Sequence, residues 1–501
     1  YGTQRPVAFT NWPTTDPLDH PYEPFDVEDR ASVDPNVVVA KDAFDAGVFA
    51  IYHIYPYYPP FINHTPQYQE YVDHRGEQNS YAGYLDHITS ATDQPILVGE
   101  FGVPDSRALA AQDRQGRDQG RHTEREQGEI VADLYEDIVA ADTAGGLAFA
   151  WQDEWFKRTW NLEPFSSPSR RPYWMNVQTP EERFGLLAFQ SPDRVRLDGS
   201  AEDWQDAARI SPDGSPTPVG DGQNAQRTLT SVAVTHDTAY LSVRLEFESL
   251  ADLDWSATNV LLALGHTGRG NTRLPFETGV ETPPTDFVVR LAGPDDSRVQ
   301  VDAYYDGFAK RYHPRANLDP ADFNDPSSNR FVPMRIPLTS GYTIPATEEY
   351  IPFESFETGR LRYGNGNPDS ENYDSLADVY VDRDGDAIEL RLPWLLLNVA
   401  DPSTRLGLAD LWENEAITFE QFDAIAVGAA TYAPGEDGTA RPIDGATNLV
   451  HAAPGIENGR LQTSEYTWET WRRPEYEERL KEGYSILRQT FEEFAAGERE
   501  L

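Results

Sequence analysis

The stretch QPILVGEFGVP, residues 94–104, decides the fold class of the first part of the chain. It is a short apolar run that ends in Glu100 and is followed by Phe-Gly, which is typical of a buried parallel strand. Comparable runs are RPVAFTNW from Arg5, GVFAIYHIYP from Gly47 and GGLAFAWQDEW from Gly145. The segment EREQGEIVADLYEDIVAAD from Glu124 has helical spacing, so residues 1–193 are predicted to alternate strands and helices as a parallel sheet or barrel does.

The pattern changes near residue 194. Alternating strands such as TSVAVTHDTAYLSVRLEF and NVLLALG follow, separated by clusters of Gly, Pro, Asp and Asn. Residues 194–501 are therefore predicted to form an antiparallel β-sandwich. An amphipathic helix is predicted from Glu475, because Leu480, Tyr484, Leu487 and Phe491 share one stripe.

The charge of the chain excludes several partners. It has 84 acidic residues against 41 basic ones, of which four are lysine, and a net charge of -43. Such self-repulsion is relieved when the screening length falls from about 8 Å at physiological ionic strength to about 3 Å at 1 M, which predicts a salt-adapted surface. Aromatic residues make up 12% of the chain, which contradicts disorder. No basic stripe suits nucleic acid, and no apolar run suits a bilayer span.

The candidate chemistry begins with Glu100. A strand of a parallel barrel delivers its last residues to the rim that carries catalysis, although a charged residue can also end a strand in solvent. His53 and Tyr55 share a strand face, and Tyr57 and Tyr58 follow them. A phenol or imidazole beside a carboxylate can keep it ionised, and aromatic faces stack on sugars. An aromatic cluster closing the barrel end explains the same residues.

Two further strand ends carry candidate substrate-binding residues. Asn11 and Trp12 end the first strand. Trp151 follows the last strand and could be a sugar platform or a core residue. Asp153 and Glu154 come directly after it and could bind sugar hydroxyls.

Strands ending in His-x-Tyr, Glu-Phe-Gly and Trp, in this order, resemble strands six to eight of clan A glycoside hydrolases, family five especially. The resemblance implies that Glu100 is the nucleophile, that His53 and Tyr55 contact it or the sugar, and that Trp151 floors the sugar subsite. It also implies a partial (β/α)8 TIM-type barrel. The predicted fold class is thus α/β plus all-β, a partial barrel followed by an antiparallel β-sandwich with a C-terminal helix.

The chain departs from this family where the proton donor is expected. Retaining enzymes need two carboxyl groups roughly 5 to 5.5 Å apart, and the family places its acid/base after Asn on strand four. No Asn-Glu follows an apolar strand before His53. We therefore expect an N-terminal segment absent from this sequence, or a partner chain, to complete the barrel and carry the acid. The local substitutes, each also explained as a surface acid, are Asp16, Glu23, Glu28, Asp153 and Glu154.

The second unit resembles family-nine carbohydrate-binding modules. The resemblance rests on VRLDGSAEDWQDAARI from Val195, VAVTHDTAYLSVRLEF from Val232 and DAIELRLPWLLLNVADPS from Asp386. The tryptophans that could stack on sugars or fill the core are Trp204, Trp255 and Trp394. Alternate spacing at Asp382, Asp384 and Asp386 suits Ca²⁺, and an acidic hairpin turn explains the same residues without metal. No other cofactor is expected.

The sequence therefore predicts a retaining glycoside hydrolase or transglycosidase with carbohydrate as its partner, acting outside the cell or at the surface of a halophilic organism. One alternative is a non-catalytic carbohydrate-binding or cell-surface protein built on a degenerate barrel. The other is a subunit whose partner completes the barrel.

Overall fold

The first unit contains a parallel sheet. The structure is a computed structural model that describes residues 5–25, 31–168, 175–443 and 447–497. The strands of this sheet are β1 (Val7–Asn11), β2 (Val48–His53), β3 (Ile96–Phe101) and β4 (Gly146–Ala148), in that spatial order. Its helices are α1 (Phe61–His64), α2 (Pro66–Gln69), α3 (Ser80–Ser90) and α4 (Glu124–Ala140). Each strand begins within the run that predicted it, and α4 starts at a capping box of Thr123 and Glu126.

The described residues cover one face of the parallel sheet and leave much of the other exposed. The covered face places Tyr52 and Val98 in a core with Leu134 of α4. On the strands at the two sides of the sheet, Val7 and Leu147 are more than half exposed. Within the described residues β1 pairs only with β2, and no complete eight-stranded barrel is present. The sheet is open, and the carboxyl ends of its strands lie along one rim.

The strands that follow β4 are mainly antiparallel, and the second unit contains those after Gln190. They are β5 (Leu187–Gln190), β6 (Ala208–Ile210), β7 (Leu229–His236), β8 (Tyr240–Phe247), β9 (Asn259–Gly265), β10 (Asn271–Arg273), β11 (Glu281–Thr285), β12 (Phe287–Leu291), β13 (Arg298–Asp302), β14 (Phe331–Pro333), β15 (Arg335–Ile344), β16 (Glu349–Glu357), β17 (Val379–Asp382), β18 (Ala387–Pro393), β19 (Val399–Asp401), β20 (Leu406–Leu408), β21 (Phe419–Gln421), β22 (Ile425–Tyr432), β23 (His451–Ala453), β24 (Ile456–Glu457), β25 (Arg460–Leu461), β26 (Ser464–Tyr466) and β27 (Glu477–Leu480). The helices that accompany them are α5 (Gly307–Ala316) and α6 (Glu482–Ala496).

Two large sheets of this unit share one core. One has the order β14-β13-β12-β9-β22-β23 with β26 also on β22, and the other has the order β17-β18-β8-β7-β6. Val243 from the second sheet and Leu262 and Phe287 from the first lie in the same buried cluster. Trp204 and Trp394 are buried, so both belong to the interior rather than to a sugar-binding surface.

The acidic segment considered for Ca²⁺ forms the tight turn between β17 and β18. Asp382 Oδ1 accepts a hydrogen bond from the Gly385 amide at 2.9 Å. Asp386 Oδ1 accepts one from the Leu250 amide at 2.6 Å. These bonds favour the hairpin interpretation of the aspartates, because two of the carboxylates already cap backbone amides.

The C-terminal segment returns to the first unit. Residues 477–480 form β27, which pairs with β5, so the final helix starts at Glu482, later than predicted. The sequence analysis assigned this helix to the second domain, whereas it packs against α4 of the first. A Cβ on Gly128 would lie 2.5 Å from the Gly483 Cα, so the two helices approach closely where both lack side chains. Tyr135 and Phe491 extend this contact with ring centroids 4.6 Å apart.

The β15–β16 hairpin also joins the two units. Tyr342 on β15 contacts His64 through a 2.9 Å bond between its hydroxyl and Nε2. Asn161 donates to the Pro337 carbonyl at 3.0 Å. The second unit therefore contributes one wall of a cleft beside the rim of the parallel sheet.

Candidate functional site

Glu100 lies at the rim with two of its predicted partners. His53 stands opposite Glu100 in the parallel register of β2 and β3. The Tyr55 hydroxyl donates a 2.8 Å hydrogen bond to Glu100 Oε2, and His53 Nδ1 lies 3.3 Å from the same oxygen. The side chains of His53 and Glu100 are 23% and 29% exposed, so this cluster is in contact with solvent. The structure brings these three residues together as the sequence placed them.

Gly99 makes room for this arrangement. An added Cβ would lie 2.4 Å from Ile51 Cγ2 and 3.2 Å from His53 Cδ2. Any larger residue would displace the Ile51 side chain and crowd the His53 imidazole, because real Cβ atoms do not approach another carbon as closely as 2.4 Å. The sequence analysis did not single out Gly99, although a glycine inside a strand signals such a close approach.

Tyr55 is a neutral hydrogen-bond donor to Glu100. Burial raises the pKa of Tyr55 well above its usual range, and the neighbouring Tyr57 and Glu100 raise it further. The hydroxyl therefore keeps its proton throughout the physiological range. A neutral donor orients a carboxylate without cancelling its charge, which a nucleophile needs.

The residues at the end of β1 divide into a rim residue and a structural one. Trp12 is 42% exposed and contacts His53 edge to face, with ring centroids 5.5 Å apart. It also contacts Tyr58 at 6.3 Å. Asn11 instead donates to the Thr15 carbonyl at 2.9 Å and accepts from the Thr15 hydroxyl. The Asn11 side chain thus closes its own turn, while Trp12 extends the aromatic rim.

Trp151 does not take the predicted place beside Glu100. Its ring contacts Tyr484 of the C-terminal helix at 6.0 Å, and it is 57% exposed. The rings that pack against Tyr55 include those of Phe184, at 5.9 Å, and Phe149, at 6.5 Å. The prediction assumed that Trp151 directly follows the strand at the rim, but β4 ends three residues earlier, at Ala148.

The substrate-binding role predicted for Asp153 is wrong. Asp153 is fully buried, with Arg183 Nη1 2.9 Å and Lys481 Nζ 2.6 Å from its carboxylate. Buried ion pairs hold it away from any ligand. Glu154 next to it binds Lys157 at 2.9 Å.

Two other candidate acids are also structural. Asp16 is buried, accepting a 2.6 Å bond from the Tyr84 hydroxyl and contacting His20 at 2.9 Å. Glu23 is buried and accepts the Phe25 amide at 3.0 Å. The surface-acid interpretation is wrong for both, because each carboxylate organises buried polar groups. Glu28 lies outside the described residues.

A cavity of about 590 Å³ opens beside the Glu100 cluster. Its walls include Tyr57, Tyr58 and Trp160 from the first unit and Tyr342 and Glu354 from the β15–β16 hairpin. Tyr57 connects the cavity to the site because its ring lies 5.6 Å from that of Tyr55. Aromatic walls with scattered polar groups suit sugar rings, which have apolar faces and polar edges. The hairpin was missed from sequence because its contact with His64 spans 278 residues.

Glu181 is a second carboxyl group near this site that the sequence analysis did not name. Its Oε1 accepts a 2.6 Å hydrogen bond from Gln119 Nε2, and its Oε2 lies 3.8 Å from Lys157 Nζ. Burial raises the pKa of Glu181, and the charges of Glu154 and Glu100 raise it further against the opposing effect of Lys157. No strand pattern precedes Glu181, so the signal that located Glu100 was absent here.

A group of metal-ligand type lies elsewhere in the first unit. Asp73, His74 and Asp137 converge, and they are the one such set found in the part of the chain that the structure describes. Arg75 already binds Asp73 at 2.9 Å and also pairs with Asp137. Arg75 thus balances the negative charge of these two carboxylates, and we assign no metal to this group.

Comparisons with known proteins do not supply a family. The chain matches no protein-family model and no curated protein. Among the described residues, no helix has the length and apolar character needed to cross a membrane. Function is therefore argued from the geometry of the rim and the cleft.

Proposed function

We propose that this protein is a retaining glycoside hydrolase or transglycosidase in which Glu100 is the nucleophile. One observation carries the proposal: the Glu100 carboxylate stands at the end of a parallel strand, held by Tyr55 and His53, next to an aromatic cleft. Chemistry at the carboxyl ends of parallel strands is the rule in barrel enzymes. The resemblance of the three strand ends to clan A enzymes supports the same roles.

The geometry indicates what each residue does. Tyr55 and His53 both contact Glu100 Oε2, so they fix the orientation of the Glu100 carboxylate. Glu100 then attacks the anomeric carbon of a glycan and forms a glycosyl ester, which water or a second sugar hydroxyl resolves. Tyr57 and Tyr58 line the cleft and Trp12 packs against Tyr58, so the exposed faces of Trp12 and Tyr58 can stack on sugar rings.

The open sheet supports the partial-barrel interpretation. Parallel sheets are almost always covered on both faces, yet Val7 and Leu147 are largely exposed. A further segment of the protein or a partner chain would cover this face and complete a (β/α)8 barrel. The excess of carboxylates over bases fits action in a salty medium outside the cell.

The second candidate function is carbohydrate binding without catalysis. It is favoured by an open groove of about 870 Å³ in the second unit, lined by Trp255, Asn259, Arg290 and Asp296 among others. A partly exposed tryptophan beside amide and guanidinium groups suits a sugar ring. The likeness of this unit to family-nine carbohydrate-binding modules points the same way.

A screen of aryl glycosides and polysaccharides at molar KCl tests the first function. The wild type is expected to release product, and Glu100→Gln is expected to lose about 10⁴-fold or more in kcat, as loss of a nucleophile does. Glu163→Gln is the matched control, since Glu163 is exposed and pairs with Arg158 at 3.3 Å. Undiminished turnover by Glu100→Gln would rule out the nucleophile assignment. Polysaccharide binding with no turnover by any form would favour the second function.

A further inference from the structure

We propose that Glu181 is the proton donor for the reaction of Glu100, an assignment that rests on the glycosidase function proposed above. From the sequence we expected another segment or a partner chain to supply the acid. Glu181 instead lies on a short 3-10 helix, Pro180–Glu182, that follows β4 in the chain. The described part of the chain then holds both carboxyl groups that glycoside cleavage requires.

Contacts connect Glu181 to Glu100 on one side. Tyr55, which binds Glu100, packs against the Phe149 ring. The Lys157 ammonium lies over that same ring, 4.1 Å from its centroid, and 3.8 Å from Glu181 Oε2. Glu100 and Glu181 are therefore connected through the contacts of Tyr55, Phe149 and Lys157.

A second set of contacts connects Glu181 to the cleft. Gln119, which donates to Glu181 Oε1, lines the cavity together with Tyr57 and Trp160. The Glu181 amide binds the Thr159 hydroxyl at 3.2 Å, directly before Trp160 in the chain. The side chain of Glu181 is 30% exposed. A sugar in this cavity would therefore contact Gln119, which donates a hydrogen bond to Glu181.

The surroundings of Glu181 suit an acid rather than a second nucleophile. The charged and titratable groups that act on it are Lys157, Glu154 and Glu100, and it in turn acts on Tyr55 and Tyr57. Lys157 lies closer to Glu154, at 2.9 Å, than to Glu181. Burial, Glu154 and Glu100 raise the pKa of Glu181, which favours its protonated form. A carboxyl group whose surroundings favour its protonated form is suited to donate a proton to a leaving group.

Three of the other candidate acids of the first unit lack this access. Asp16, Glu23 and Asp153 are each 3% exposed or less. Each also has its oxygens engaged by buried donors. None can reach a leaving group without breaking the local structure.

The reaction balances with these two residues and water. Glu100 forms a bond to the anomeric carbon while the bond from that carbon to the leaving oxygen breaks, and the proton of Glu181 passes to that oxygen. Glu181, now a carboxylate, takes a proton from water as the water oxygen attacks the anomeric carbon. The ester to Glu100 breaks, and both side chains return to their starting states.

Two aryl substrates of one sugar separate this role from the proposed function. The test compares 2,4-dinitrophenyl and phenyl β-glycosides of glucose, mannose, galactose and xylose, using this chain in molar KCl. Dinitrophenolate leaves without a proton, whereas phenolate needs one. Glu181→Gln is expected to lose about 10² to 10⁴-fold on phenyl glycosides, the usual contribution of a general acid. Glu181→Gln should still form the glycosyl ester from dinitrophenyl glycosides at most of the wild-type rate. Glu100→Gln should lose activity on both kinds of substrate.

Two further measurements distinguish a proton-donating Glu181 from a Glu181 that only supports the local structure. Wild-type turnover of phenyl glycosides should fall as pH rises through the raised pKa of Glu181, and Glu181→Gln should lose that limb of the profile. Azide should restore dinitrophenyl turnover by Glu181→Ala and give a glycosyl azide, because the small anion replaces water that needs a base.

The outcomes differ between the two proposals. The Glu181 assignment would be overturned if Glu181→Gln lost the same factor on both substrates without azide rescue. It would also be overturned if Glu181→Gln behaved like the wild type. Neither result would change the role of Glu100 as nucleophile. Cleavage of dinitrophenyl but not phenyl glycosides by the wild type would place the acid outside this chain and overturn it as well. Absence of turnover on every glycoside, both by this chain and by a form in which the barrel is completed, would refute the proposed function and the Glu181 assignment with it.

Discussion

Two pairs of carboxyl groups near the rim of the parallel sheet have opposite surroundings. Asp105 and Asp153 are almost fully buried, and both bind Arg183 and Lys481 at 2.6 to 3.0 Å. Glu100 and Glu181 have side chains that are 29% and 30% exposed. Apart from Lys157 and His53, their hydrogen-bond donors in the described residues are neutral. The chain has 84 acidic residues, so a carboxylate alone does not indicate a function. Carboxylates bound by buried cations stabilise the structure, whereas partly exposed carboxylates with mainly neutral donors can react.

Removing a cation from the buried aspartates Asp105 and Asp153 should have the largest effect on stability. Lys481→Met leaves Asp105 and Asp153 with one cation instead of two, and removal of a buried partner costs about 3–5 kcal/mol. The free energy of unfolding, measured by denaturant titration, is expected to fall by that amount. Lys310→Met is the control, since Lys310 lies over the Trp412 ring near the surface and should cost less than about 1 kcal/mol. Equal losses from both would contradict a special role for the buried pair.

Salt should distinguish the two kinds of electrostatics. The melting temperature of the wild type is expected to rise between about 0.1 M and 3 M KCl, because salt screens repulsion among exposed carboxylates. The deficit of Lys481→Met should persist at 3 M, since buried pairs are screened much less. A melting temperature that does not change with salt would reject halophilic adaptation.

A smaller effect is expected from loss of the Tyr55 hydroxyl. Tyr55→Phe removes one hydrogen bond to a charged group, worth about 1.5–3 kcal/mol, so kcat should fall about 10- to 100-fold. Tyr52→Phe, three residues earlier on β2, is the matched control. The Tyr52 hydroxyl is buried and has no hydrogen-bond partner among the described residues, so turnover should not change. A Tyr55→Phe variant as active as the control would show that this bond does not orient Glu100.

Much of the first unit could be predicted from local patterns. Strand runs and the helix at Glu124 have clear periodicity, and adjacent parallel strands bring Glu100 and His53 to one rim. What failed depended on distant or irregular structure. Asp153 follows a strand, but its role is decided by Lys481, which lies 328 residues away. Glu181 and the β15–β16 wall lie outside the strand ends, where periodicity carries no information.

The C-terminal segment illustrates the same limit. Its apolar stripe predicted a helix, and α6 is present with Leu487 buried. The stripe did not indicate which unit the helix would cover. The close approach of Gly128 and Gly483 decides this, and neither glycine belongs to an apolar pattern.

The central claim is that the Glu100 carboxylate forms a bond to sugar. Incubation with dinitrophenyl 2-deoxy-2-fluoroglycosides tests it, because the fluorine slows hydrolysis of the glycosyl ester enough for mass spectrometry of proteolytic peptides. The account predicts one added fluorosugar on the peptide that contains Glu100, and none in Glu100→Gln. A label on another residue, or dinitrophenolate release without any labelled peptide, would contradict it.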